Sequence, residues 1–226
     1  MDVDRGVKLA QSFFNTNNSG SYDGLVKLAT LGQDINWKKK IVQSVPTGSL
    51  VLELACGTGI LTSLLKKNNN TVYGIDLTFE YLCVLGEKMI EIDSINGTAE
   101  FLPFQSRYFD CIVASYLPKY VNLNTLVREC QRVLKQNGLL ILHDFTYPRK
   151  LAYQFVWKIY FKIIQALWKH DRKWTNVFDG LDKLIVENHW DLKLNPILTS
   201  HGFVQIRKEF QTFETSAIIS ALKDEG

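Results

Sequence analysis

A carboxylate and a pair of glycines carry the clearest chemical signal in this sequence. The apolar run Leu50–Leu54 contains Glu53, continues into Ala55-Cys56-Gly57-Thr58-Gly59, and gives way to a helical pattern at Ile60. A short apolar run bounded by turn residues is typical of a strand buried on both faces. Glycines after such a strand let a ligand approach the backbone, and the next helix offers free N–H groups. The stretch predicts a binding turn for a nucleotide-type ligand.

A second carboxylate follows at a spacing that suits a ribose. Asp76 ends the apolar run Thr71–Asp76, about 20 residues beyond the glycines. A carboxylate can accept hydrogen bonds from two vicinal hydroxyls at once. An alternative is that Asp76 caps the helix predicted to begin near Phe79. Because Asp76 follows the glycine turn at this spacing, we favour the role in ribose binding for it.

The glycine pattern separates two families of nucleotide-binding proteins. The dehydrogenase pattern G-x-G-x-x-G would need glycine at Thr62, or at both Ala55 and Ile60. The form E-x-A-x-G-x-G instead resembles motif I of class I S-adenosylmethionine (SAM) methyltransferases. In that family the glycine loop curls under the amino-acid part of SAM, so the resemblance implies SAM as cofactor and S-adenosylhomocysteine (SAH) as product.

Further stretches resemble one branch of that family, the ubiquinone and menaquinone C-methyltransferases. They are Tyr22-Asp23, Thr30-Leu31-Gly32 and Trp37-Lys38 before the glycine turn, Gly97-Thr98-Ala99-Glu100 after it, Glu129-x-x-Arg132-Val133-Leu134-Lys135 and Asp144-Phe145-x-x-Pro148. The resemblance implies that the cofactor-binding residues are Tyr22, Glu53, Ala55, Gly57, Gly59, Asp76, Leu77, Thr98, Ala99 and Ser115. It also implies a lipophilic quinol, methylated at a ring carbon, as the acceptor.

The sequence departs from the family pattern on both the cofactor side and the acceptor side. Thr98 replaces the family's Asp at the adenine, Lys119 and Tyr120 replace an Arg and an Asn, and Phe213-Glu214 replace a Gly-Gly pair. We expect Lys119 to place positive charge near a developing phenolate. Tyr116, beside it, is a further candidate for the catalytic site. An O- or N-methyltransferase of another small molecule and a non-catalytic SAM-binding protein stay open as alternatives, and a dehydrogenase is the weakest.

Removal of a phenolic proton calls for a general base. The candidates are His143, Asp144, Tyr116, Tyr147 and Tyr22, and His143 is favoured because histidine titrates near neutral pH. Alternation along its strand could instead bury His143 as a neutral core residue. The other histidines have no carboxylate at metal-ligand spacing, so we predict no metal.

Strands that alternate with helices predict a Rossmann-like α/β fold: a mostly parallel seven-stranded sheet with an antiparallel last strand. We expect a single methyltransferase domain over 1–226, with a helical cover at 1–45 and a helical insertion at 149–200. Within these bounds we predict helices at 3–14, at 126–135 with a stop at Asn137-Gly138, and at 151–169. The fifth strand is predicted at 139–144 and the last at 217–222.

The predicted helix 151–169 mixes apolar residues with Lys158, Lys162 and Lys169. It is either a hydrophobic lid for an isoprenoid-tailed substrate, with its lysines near an anionic membrane, or an inserted helix with a solvated lysine face.

Composition sets the remaining bounds. The 226 residues are 46% hydrophobic and carry a net charge of only +3, which gives no reason to expect nucleic acid as a partner. The four dispersed cysteines predict reduced thiols in a cytoplasmic protein. We expect neither a signal peptide nor a membrane-spanning segment, because no apolar run reaches about 18 residues. Nothing in the sequence predicts the oligomeric state.

Overall fold

Seven strands form one sheet in the computed structural model, which describes residues 8, 10–14, 18–88, 92–171 and 173–225. The strands are β1 Leu50–Leu54, β2 Thr71–Asp76, β3 Asp93–Asn96, β4 Phe109–Ser115, β5 Leu134–Phe145, β6 Phe203–Gln211 and β7 Ser216–Lys223. Their order across the sheet is β3-β2-β1-β4-β5-β7-β6. β1 to β5 pair in parallel, and β7 runs antiparallel to both of its neighbours. The predicted fold class is confirmed.

The helices within the described residues are α1 Tyr22–Ala29, α2 Gln33–Ser44, α3 Ile60–Lys67, α4 Phe79–Glu87, α5 Leu123–Val133, α6 Leu151–Trp168, α7 Thr175–Asn188 and α8 Trp190–Ser200. Short 3₁₀ turns lie at Ser19–Ser21, Pro118–Tyr120 and Thr212–Glu214. None of the described helices has the length and hydrophobicity needed to cross a bilayer.

Alternation along β1 sends its side chains into two separate cores. Val51 packs with Ile41 of α2 and Leu65 of α3 on one face of the sheet. Leu52 packs with Leu126 of α5 and Leu194 of α8 on the other. The continuous apolar run is thus a strand covered by helices on both faces, and its carboxyl end lies at the sheet edge where ligands bind in such folds.

A third cluster holds the N-terminal helices against the inserted ones. Leu25 of α1, Ile164 of α6 and Phe178 of α7 pack together with Trp174 and Tyr120. Helices of the predicted N-terminal cover and of the predicted insertion therefore pack against each other beside the 3₁₀ turn that follows β4. The α8 helix packs in the main core, so of the predicted insertion only α6 and α7 take part in this cluster.

The structure differs from two predicted boundaries, the end of the helix predicted at 126–135 and the start of the strand predicted at 139–144. The helix predicted to end at Asn137-Gly138 ends at Val133, and β5 begins directly afterwards. Asn137 nevertheless adopts the left-handed backbone conformation that its residue type favours, with a φ of 58° in the early part of β5. A further helix, α7, lies within the helical insertion predicted at 149–200, where only the helix at 151–169 was given bounds, and its flanking Trp174 is buried. Of the helix predicted at 3–14, residues 8 and 10–13 are helical, whereas 3–7 and 9 lie outside the described residues.

Candidate active site

The turn after β1 takes a backbone path that requires its glycines. Ala55, Gly57 and Gly59 have φ values of 54°, 55° and 84°, all in the left-handed region. Glycine adopts this region without the steric cost that a Cβ brings. Glu53 lies just before the turn, is 2% exposed, and accepts a hydrogen bond of 2.5 Å from the Thr62 hydroxyl. Burial raises the pKa of Glu53 to about 8.

Asp76 is a buried carboxylate at the tip of β2. Its Oδ2 accepts the Gly57 N–H at 2.7 Å, and its Oδ1 accepts the Thr78 N–H at 2.8 Å. Burial raises the pKa of Asp76 to about 6, and the two N–H donors oppose that shift. The side chain therefore braces the glycine turn and the start of α4. Each carboxylate oxygen can still accept a further hydrogen bond.

A cleft of about 780 Å³ opens beside these groups. Of the predicted site residues, the cleft is lined by Tyr22, Ala55, Gly57, Asp76, Leu77, Thr98, Ala99, Ser115 and Tyr116. Glu53 lines a smaller adjoining pocket together with Gly57 and Lys38. Gly59 is the N-cap of α3 and lines neither of these two. Strand tips far apart in sequence therefore meet in one cleft.

Thr98, which replaces an acid in the family pattern, has its oxygen engaged locally. Its Oγ1 accepts the Glu100 N–H at 3.3 Å. The hydroxyl proton is still available to a ligand in the cleft, so Thr98 can act there as a donor where aspartate would accept.

The N-terminal cover is fastened to the glycine turn through Asp23. The Thr58 hydroxyl donates to Asp23 Oδ1, and the Lys88 ammonium donates to Asp23 Oδ2 at 2.5 Å. The preceding residue, Tyr22, lines the cleft and is half-buried, and the desolvation of its hydroxyl raises its pKa well above the ordinary tyrosine value. The Tyr-Asp pair in the sequence signalled this contact, although its partner on the glycine turn was not predicted.

Tyr116 joins the cleft to a buried ion pair that sequence reasoning missed. Its backbone has a φ of 67°, and its hydroxyl donates to Asp34 Oδ1 at 2.7 Å. The Lys38 ammonium donates to the same oxygen from one turn along α2. The Tyr116 ring stacks on Phe145, with ring centroids 4.7 Å apart. The i, i+4 spacing of Asp34 and Lys38 was the available signal, but nothing local in the sequence indicated that the pair would be buried.

Lys119 is buried and neutralised by a carboxylate. Its ammonium donates to Asp144 Oδ1 at 2.6 Å, and its backbone N–H donates to Asp144 Oδ2 at 3.0 Å. Burial lowers the pKa of Lys119, and the ion pair opposes this shift. The ammonium also lies 4.4 Å from the centre of the Tyr120 ring. The expected positive charge is present near Tyr116, but the carboxylate of Asp144 already neutralises it.

His143 lies inside the sheet, away from the cleft lining. Its Nδ1 is 2.9 Å from the Ser115 hydroxyl, and its Nε2 is 2.6 Å from the Ser216 hydroxyl. The ring is fully buried, and burial lowers its pKa well below the ordinary histidine value. This placement favours the alternative of a neutral core histidine over the predicted general base.

Comparison with known proteins agrees with this geometry. Residues 52–142 match a protein family described as "Methyltransferase domain". A demethylmenaquinone methyltransferase of Thermotoga maritima is 31% identical over 144 residues, 62% of this chain and 62% of that protein. Another, of Staphylococcus saprophyticus, is 29% identical over 204 residues, 84% of this chain and 86% of that protein. The chain is a class I SAM-dependent methyltransferase.

A solved structure shares the fold of this methyltransferase at low sequence identity. It comes from Methanococcus maripaludis, is assigned as a SAM-dependent methyltransferase, and aligns with a TM-score of 0.69 and 13% identity over 94% of both chains. The family resemblance stated from the motifs is confirmed, and so is the cofactor.

The cleft of the methyltransferase fits SAM in its donor set. Asp76 is a buried carboxylate whose oxygens can each accept a further hydrogen bond, and it would hold the ribose hydroxyls. Glu53 and the backbone of Gly57 would hold the amino-acid part, and Thr98 with Ala99 would meet the adenine. These individual roles stay predictions. When bound, SAM supplies a methyl group that is already activated for transfer.

Proposed function

We propose that this methyltransferase methylates a ring carbon of a lipophilic quinol of the demethylmenaquinone type. Both relatives above carry that name, but the proposal depends on an apolar route that leads away from the cofactor cleft. The route consists of three adjoining cavities, which are described here from the cleft outwards.

The first junction lies at Tyr116. A middle cavity of about 490 Å³ shares Phe14, Tyr22, Tyr116 and Tyr120 with the cofactor cleft. These four rings form the wall between the two spaces. An aromatic acceptor in the middle cavity would therefore lie against the cofactor cleft and among ring surfaces that suit stacking.

The second junction leads to a larger space, which we call the aromatic chamber. It has a volume of about 930 Å³ and shares Ala29, Thr30, Phe145, Phe178 and Leu181 with the middle cavity. Its other walls include Trp37, Tyr153, Trp157 and Phe161. Such a lining offers hydrophobic burial and few polar partners, as a hydrocarbon tail requires.

Two polar groups backed by acids lie at the inner end of the route. Tyr116 and Lys119 both line the middle cavity, and each is backed by a buried acid, Asp34 and Asp144 respectively. The chamber also carries threonine and tyrosine hydroxyls, but its largest walls are aromatic rings. A quinol head with its hydroxyls at the inner end would find these two acid-backed partners, and its tail would lie against the aromatic walls.

Transfer of a methyl cation to an aromatic ring carbon releases one proton, which must leave a buried site. The hydrogen bond from Tyr116 to Asp34 offers a path: Tyr116 Oη takes a proton from the acceptor hydroxyl as its own proton passes to Asp34 Oδ1. The Lys38 ammonium donates to the same carboxylate oxygen, so the path ends at a buried ion pair.

The observation that carries the proposal is that the three cavities adjoin in series and share lining residues at both junctions, and blocking the outer junction tests the proposal. The variant Ala29→Trp narrows the junction between the middle cavity and the chamber without touching the cofactor cleft. With isotope-labelled SAM, we expect methylation of a tailed demethylmenaquinol to fall at least about tenfold, as for a substrate that loses about 1.4 kcal/mol of binding. Methylation of a tail-less naphthoquinol should be retained.

Leu192→Trp is the matched control, because Leu192 is exposed on α8 and lines none of the three cavities. It should leave both substrates unaffected. Absence of any methylated quinol from the unaltered protein, with SAH binding intact, would contradict the proposal and favour another acceptor or a non-catalytic role.

We further propose a cytoplasmic location. All four cysteines are free thiols, and Cys83 is exposed, which suits a reducing compartment.

A further inference from the structure

We propose that the outer face of α6 docks the methyltransferase onto an anionic lipid bilayer, with the mouth of the aromatic chamber facing the lipid. The inference rests on the proposed function insofar as a lipophilic acceptor would be drawn from that bilayer. The docking face itself is argued from exposure, charge and the position of the chamber mouth.

An apolar stripe runs the length of α6 on its outer side. The stripe consists of Leu151, Phe155, Ile159, Ile163 and Leu167, which are between 43% and 82% exposed. Residues four apart lie one above the other on a helix, so these five form a continuous row. The opposite face buries Trp157, Phe161 and Ile164 in the protein. The helix is thus apolar on two sides, of which only one is covered.

Positive charge accompanies the stripe. Residues 145–170 contain Arg149, Lys150, Lys158, Lys162 and Lys169 and no aspartate or glutamate. Lys158, Lys162 and Lys169 are exposed, and none forms a salt bridge with any residue that the structure describes. An exposed apolar row beside unpaired lysines is the arrangement that binds the interface of an anionic membrane.

The chamber opens on the same surface. Leu31, Val156 and Phe213 each line the aromatic chamber and are each more than half exposed. Val156 lies on α6 itself, three positions before Ile159 of the stripe, so the two exposed side chains are neighbours on the helix surface. A lipid that contacts the stripe is therefore already at the rim of the chamber, and its tail can enter without crossing water.

A second copy of the chain is a less suitable occupant. In an isologous dimer the same surface faces itself, so the cations of both copies would meet in one interface. The stretch supplies no acid to pair with them. Anionic lipid head groups would balance these charges.

Vesicle co-sedimentation tests the inference with the full chain. We expect binding to phosphatidylcholine vesicles that contain phosphatidylglycerol and much weaker binding to phosphatidylcholine alone. The double variant Ile159→Glu/Ile163→Glu should lower the partition coefficient roughly 100-fold, because two apolar side chains lose their burial. Lys158→Gln/Lys162→Gln should lower the preference for anionic vesicles roughly 30-fold and weaken its salt dependence.

The matched control is Phe101→Glu. Phe101 is 69% exposed, close to the 66% of Phe155, but lies on the loop after β3. It should bind vesicles as the unaltered protein does. Equal partition of the unaltered protein and the Ile159/Ile163 variant would overturn the inference. So would light scattering that shows a dimer which this variant dissociates, because the face would then be covered by a second copy.

The outcomes separate this inference from the proposed function. If the protein methylates quinol in detergent micelles but does not bind vesicles, only the docking face is rejected. Vesicle binding without quinol methylation would reject only the acceptor.

Discussion

Replacing Asp76 by alanine should weaken SAH binding while leaving the fold intact. Two backbone N–H groups, from Gly57 and Thr78, already occupy one acceptor position on each carboxylate oxygen. The remaining lone pairs would accept the two ribose hydroxyls, and hydrogen bonds to a charged group contribute about 1.5–3 kcal/mol each. Allowing for water in the alanine variant, we expect a net loss of about 2–4 kcal/mol, roughly 30- to 900-fold in Kd by calorimetry.

The isosteric variant Asp76→Asn tests how the charge of Asp76 affects the stability of the protein. The folded-state pKa of Asp76 is raised to about 6. Its favourable contribution to the free energy of unfolding is therefore fully present below the unfolded-state pKa of about 4, and it is lost as pH rises through about 6. At pH 7 and above the unaltered protein therefore bears the cost of a buried charge, on the order of 3 kcal/mol. Asp76→Asn loses one acceptor for the Gly57 and Thr78 N–H groups at every pH, but it removes the buried charge only where Asp76 is ionised. The Tm of Asp76→Asn relative to the unaltered protein should therefore be higher at pH 8 than at pH 5. Unchanged SAH affinity of Asp76→Ala, or a Tm difference for Asp76→Asn that is the same at pH 5 and pH 8, would refute this reasoning.

Three further predictions concern the neighbouring charges. The pKa of Glu53 is raised to about 8, so SAH affinity should increase between pH of about 6.5 and 8.5 as the carboxylate ionises to meet the ligand's amino group, and Glu53→Gln should flatten that profile in calorimetric titrations. Tyr116→Phe should cost about 1–3 kcal/mol in urea unfolding, because it removes a donor to the buried Asp34, and should abolish quinol turnover with little change in SAH affinity. Lys119→Met should cost about 3–5 kcal/mol by stranding Asp144, and adding Asp144→Leu should restore most of it; a loss below about 1 kcal/mol would show that the ion pair is not needed.

The cofactor side of the site could be predicted because its information is local in sequence. Each buried parallel strand is a continuous apolar run, so Glu53, Asp76 and Ser115 could be placed at strand ends from the sequence alone. Parallel strands bring those ends to one edge of the sheet. The structure then gathers these residues around the cofactor cleft and its adjoining pocket.

The acceptor side could not be predicted in the same way. Asp34 and Tyr116 are 82 positions apart, and only the packing of α2 over the sheet edge brings them together. His143 was favoured as a base because of its residue type, whereas the register of β5 beside Ser115 buries it between two serine hydroxyls. The α6 helix is apolar around most of its circumference, so its sequence alone does not say which side is covered. The aromatic chamber is lined by residues from five stretches of the chain, whose relative placement no local pattern specifies: 29–37, 145, 153–161, 178–181 and 212–215.

The proposed acceptor would lie along a single route from the cofactor cleft past Tyr116 into the aromatic chamber. A crystal structure with SAH and a tailed demethylmenaquinone analogue tests it directly. We predict SAH on Asp76, the quinone ring beside Tyr116, and tail density between Trp157 and Phe213. Tail density on any other face of the molecule, with SAH correctly bound, would contradict the account.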